Sequence, residues 1–93
     1  MDDNLKTTIV DQFKNTELGF FRIKRNLKIA HFSDEETETY LKQILVSTPL
    51  QYIETKGKNH YFKCPEYNAI LTVNSRTFTI ITAKKIEKST PVL

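Results

Sequence analysis

Apolar positions change their period once along this chain. Leu5, Ile9 and Phe13 recur every four residues across 3–15, the spacing of one helical face. Asn15 and Thr16 interrupt it; Thr16 is a candidate N-cap, with Glu17 suited to the positive end of a helix. Phe20, Ile23 and Leu27 form a second stripe, opposite a basic face of Arg22, Arg25 and Lys28. Gly19, near that helix start, leaves room for close approach by another element. Ser33-Asp34-Glu35-Glu36 reads as a capping box opening a third helix, whose buried side is Tyr40, Leu41, Ile44 and Leu45. Its acids suit the helix dipole rather than a catalytic carboxylate pair. Pro49 closes this part.

From Gln51 the period becomes two, and β-branched and aromatic residues dominate. Strands are expected near 52–55, 60–63, 70–74 and 78–83. Short connections rich in turn formers (Lys56-Gly57-Lys58-Asn59, Cys64-Pro65-Glu66-Tyr67-Asn68 and Asn74-Ser75-Arg76-Thr77) make successive strands antiparallel neighbours. The last strand is apolar on both faces, so it is expected inside the sheet. The fold class that follows is α+β: about three N-terminal helices (3–47) packed on one face of a four-stranded antiparallel β-meander (51–85). A flexible tail is expected over 86–93, and the whole of 1–93 is expected to be one domain.

Composition sharpens this outline in two ways. With 39% hydrophobic and 27% charged residues the chain is ordinarily globular, and it has no apolar run near the roughly 18 residues of a bilayer span. The acidic, polar start and the lone Cys64 point to a cytoplasmic protein without membrane partners. The net charge of +3 is unevenly spread. Residues 1–48 balance at −1, whereas residues 49–93 carry seven Lys/Arg against three acids, a balance of +4. The same half holds Tyr52, Tyr61 and Tyr67. A positive, aromatic surface suits a polyanion with exposed bases, although strand lysines also serve simply to keep a sheet soluble.

No metal or cofactor is expected. His60 and Cys64 share a strand face but stand about 13 Å apart at ~3.3 Å per residue, too far to ligate one ion. The same gap argues against a Cys64–His60 nucleophilic pair, and two isolated glycines build no phosphate loop. Ribonuclease chemistry asks less, because RNA supplies its own 2′-hydroxyl nucleophile. It needs only a base, an acid and cations around the phosphorane. His60, Arg76, Thr82 and Lys84 are the candidate catalytic residues, and Lys58, Tyr61, Tyr67 and Lys85 the candidate substrate-binding ones. Each has a plainer reading: His60 as a surface histidine on a hairpin shoulder, Thr82 as a strand former.

Three ordered motifs run through the chain. They are Thr16-Glu17-Leu18-Gly19 with Arg22-Ile23 and Asn26-Leu27; Lys56-Gly57-Lys58-Asn59-His60-Tyr61; and Thr79-Ile80-Ile81-Thr82-Ala83-Lys84-Lys85 after Thr72-Val73-Asn74. On these the chain resembles a family of short bacterial domains of unknown function, of about this length. The resemblance implies an aromatic residue often standing at His60 and a histidine often at Lys84. A looser, fold-level likeness to the barnase, colicin and RelE-like ribonucleases implies polar residues working from a sheet face, with Thr82 and Lys84 as the positions to carry over.

Two readings of function follow. One is a toxin-like or phage-related module that cleaves or binds RNA through the basic sheet without a metal. The other is a non-catalytic interaction module, an immunity or regulatory protein whose partner is a toxin or antitoxin. Convergent cations would favour the first, and a continuous apolar patch the second.

Overall fold

The computed structural model describes residues 1–86. The tail expected over 86–93 falls, from residue 87 on, outside them.

Three helices come first: α1 (Asp3–Gln12), α2 (Glu17–Leu27) and α3 (Asp34–Ser47). Each begins where a side chain can satisfy the free N–H groups of a first turn. Asp2 accepts from the Leu5 N–H, Thr16 from Gly19, and Ser33 from Glu36. The Glu36 carboxylate returns a bond to the Ser33 N–H, so the capping box is complete and the Glu36 carboxyl is held below its ordinary pKa. Helix α2 ends at Lys28, which takes up a left-handed conformation (φ 61°).

A single 3-10 turn (Leu50–Tyr52) leads into the sheet. Its strands are β1 (Ile53–Lys56), β2 (Asn59–Cys64), β3 (Ala69–Asn74) and β4 (Ile80–Lys85), paired antiparallel in the order β1-β2-β3-β4. Gly57, at φ 56°, opens the two-residue β1–β2 loop, the position at which a hairpin turn calls for glycine. In the β3–β4 loop the Asn74 side chain accepts from the N–H groups of Arg76 and Thr77. That loop holds Phe78 in the left-handed region (φ 60°), an uncommon place for a bulky side chain. Its N–H bonds the Asn74 carbonyl and its carbonyl accepts from Lys14, which fixes the conformation from both sides.

The helices cover one face of the sheet. Ile9, Ile23, Leu27, Leu41, Ile44 and Leu45 meet Ile53, Phe62, Cys64, Leu71, Val73, Ile80 and Ala83 in one core. Against expectation, β4 is an edge strand rather than an internal one. Its apolar character answers to another cover: the α1–α2 linker pairs with the start of β4 in parallel. Lys14 N–H donates to the Phe78 carbonyl at 3.0 Å, and Ile80 N–H donates to the Lys14 carbonyl at 2.8 Å. Gly19 faces this strand, but a Cβ there would lie 3.9 Å from the Ile80 carbonyl oxygen, an ordinary contact, so the approach of α2 does not depend on glycine.

Candidate nucleic-acid interface

Register assigns each sheet residue to a face. The row Ile53, Phe62, Leu71 and Ala83 points into the core, as do His60 and Cys64, which alternate with Phe62 along β2. The other face carries the row Glu54, Tyr61, Thr72 and Thr82, and beside it Lys63, Ile70 and Lys84. In β4 Ile81 has no partner on β3, because Val73 pairs with Ile80 and Thr72 with Thr82. This bulge leaves Ile81 exposed.

The outer face is electrically lopsided. On its β1 side Glu54 takes Lys63 at 2.8 Å and Lys56 at 3.5 Å. The hydrogen bond from Lys63, and then the charges of Lys63 and Lys56, hold the Glu54 carboxyl below its ordinary pKa. Those two lysines are therefore partly neutralised within the protein. On the β4 side Lys84 forms no ion pair among the described residues. Lys84 and Lys85 line a groove of about 570 Å³ with Asn26 and Lys28 from the end of α2 and the apolar walls of Ile70 and Ile86. Among the described residues that line it, none is acidic.

The eight candidate residues do not share one cleft. Thr82 and Tyr61 stand on the outer face, on either side of Thr72. Lys58 and Arg76 belong to the hairpin loops at one end of the sheet, which are tied by the Ser75 N–H donating to the Lys58 carbonyl at 2.8 Å. Lys84 and Lys85 sit at the other end of β4, roughly 13 Å beyond Ile80 at ~3.3 Å per residue. Tyr67 leans back on the helices, its ring edge-to-face with Tyr40 at 5.6 Å, and Tyr40 in turn meets Phe32 at 5.8 Å. His60 is on the helix side and only 5% exposed, so the surface-histidine reading is overturned. Its Nδ1 lies 2.7 Å from Thr55 Oγ1. Burial, and then the positive charge of the Met1 amino group, lower its pKa. Among the described residues, no three His, Cys, Asp or Glu side chains are grouped to hold a metal ion. Among those residues no helix is long and apolar enough to cross a membrane.

The family model described as "Protein of unknown function (DUF3781)" matches residues 7–84, from within α1 to the penultimate residue of β4. The chain belongs to this family. No curated protein and no solved structure matches it. The sequence resemblance to a family of short domains of unknown function is thus borne out, and the ribonuclease likeness rests on the order of elements alone.

Two groove residues of this DUF3781 chain, Asn26 and Lys28, were not among the sequence candidates. Their signal was present in the basic helix face of Arg22, Arg25 and Lys28. The −1 balance of the first half hid it, because acids of that half sit in the first turns of α1 and α3, where helix dipoles hold them.

Proposed function

We propose that this DUF3781 chain binds RNA, with phosphates seated in the groove between the end of α2 and β4. The observation that carries the reading is the convergence of Lys28, Lys84 and Lys85 around one groove in which none of the described lining residues is acidic. Three cationic side chains brought to one groove by folding favour a bound polyanion. Asn26 adds an amide that can donate to a phosphate oxygen. The adjoining outer face offers the hydroxyls of Tyr61 and Thr82, which suit the ribose 2′-hydroxyl that distinguishes RNA from DNA.

Cleavage would need a proton acceptor beside these cations. His60 lies on the opposite face of the sheet, so the reading is one of binding. Fluorescence anisotropy with RNA and DNA oligonucleotides of one sequence tests it. Tighter binding of the RNA, weakened in Lys28→Ala and Lys84→Ala, is the expected result. A second reading, a protein-docking module, draws on Leu18 and Phe21, which stay 62% and 66% exposed on α2.

A further inference from the structure

We infer that the RNA taken by this groove is single-stranded and that the Phe21 ring stacks on one of its bases; the inference rests on the groove reading above. In a helix, residues four apart fall on one face, so Phe21 and Arg25 line up along α2, and Lys28, the left-handed cap, follows where the helix ends. All three are exposed, whereas Ile23 and Leu27 on the other side of the helix are buried in the core. Lys28 caps the helix and lines the groove, so the Phe21–Arg25 face runs from the phosphate site. At a rise of ~1.5 Å per residue it reaches Phe21 after roughly 10 Å.

Phe21 has no internal role that accounts for it. It is 66% exposed, and it takes part in no aromatic pair among the described residues. The nearby Lys24 ammonium sits over Phe20 instead, at 5.9 Å, while also pairing with Asp34 at 2.6 Å. An open aromatic face followed by two cations, in line with a phosphate groove, has the composition of a single-strand track: backbone on the cations, base on the ring. Arg22, exposed beside Phe21, adds a further cation. A duplex keeps its bases stacked on one another and cannot offer a free base face to the ring.

The test compares a labelled oligouridine with a fully paired RNA duplex, by anisotropy, for the parent chain, Phe21→Ala, Phe21→Tyr and Lys84→Ala. Circular dichroism checks that each variant keeps its fold. The expected result is that Phe21→Ala weakens oligouridine binding at least about fivefold. Duplex binding should change less than about twofold and the salt dependence should stay as it was, because no cation is lost. Phe21→Tyr should restore affinity, and Lys84→Ala should weaken both ligands. If Phe21→Ala leaves oligouridine binding intact while Lys84→Ala lowers it, stacking is overturned and the groove survives; Phe21 is then left for a protein partner. Equal losses for oligouridine and duplex also overturn stacking. Failure of the parent chain to bind either RNA at low salt overturns the groove reading with it.

Discussion

His60 Nδ1 lies 2.7 Å from Thr55 Oγ1, joining neighbouring strands on the face of the sheet that the helices cover. The imidazole is thereby satisfied in its neutral form, and burial opposes its charging.

A pH dependence follows. A base whose pKa is lowered by folding binds fewer protons than in the unfolded chain, so stability rises with pH through that window. The His60 contribution is complete above the ordinary value of 6.5 and is lost as pH falls below it. Denaturant titrations at about pH 5, 6 and 7 should show the chain weakening on the acid side. His60→Gln should flatten that slope. An unchanged slope in the variant would assign it elsewhere. Glu36 and Glu54, whose pKa values are lowered, act in a separate window, their stabilisation present above 4.5 and lost at more acid pH.

The core and cap of α3 should separate in size. Leu41 and Ile44 have no exposed surface, so Leu41→Ala or Ile44→Ala should cost about 2–5 kcal/mol by leaving a cavity. Ser33→Ala removes one bond to a solvent-facing N–H and should cost about 1 kcal/mol. Unfolding curves giving similar losses for both kinds of change would contradict the packing described.

Gly19 and Thr16 should be strongly coupled. The Gly19 N–H donates to Thr16 Oγ1 at 2.9 Å, and a Cβ on residue 19 would sit only 2.8 Å from that oxygen. Gly19→Ala alone must turn the hydroxyl away, losing a cap worth about 1 kcal/mol while gaining helix propensity of similar size. In a Thr16→Ala background the obstruction is gone, and Gly19→Ala should stabilise by about 0.5–1 kcal/mol. A double-mutant cycle with additive effects would refute the coupling.

Much of this architecture was legible because it is written in local signals. The Thr16 cap, the Ser33–Glu36 box and the change of period at Pro49 each depend on residues close in sequence. Strand order followed from short turns at Gly57, Asn68 and Asn74, which leave successive strands no alternative but to pair. The edge position of β4 was not legible, since its cover comes from Lys14, across two helices and three strands. Charge counted by halves of the chain also misled. Lys63 and Lys56 are answered by Glu54 across β1 and β2, while Lys28 of the nominally acidic half joins Lys84 and Lys85. His60 could have been turned inward from the sequence: alternation places it with Phe62 and Cys64, and a core phenylalanine fixes the face of its neighbours at two-residue spacing.

Lys63 and Lys84 make a matched pair of probes for the RNA reading. Both flank Ile70 on the outer face, but Lys63 is held by Glu54 and Lys84 opens onto the groove. Lys84→Ala should therefore weaken RNA binding, and Lys63→Ala should change it less.

The most direct measurement is the salt dependence of that binding. For the parent chain, the logarithm of the RNA association constant plotted against the logarithm of salt concentration should fall linearly, as phosphate contacts displace counterions. Lys28→Ala, Lys84→Ala and Lys85→Ala should each reduce the slope by about one contact at most, and Lys63→Ala should leave it nearly unchanged. No binding at low salt, or a slope that Lys63→Ala lowers as much as the three groove variants do, would contradict a groove that holds RNA phosphates.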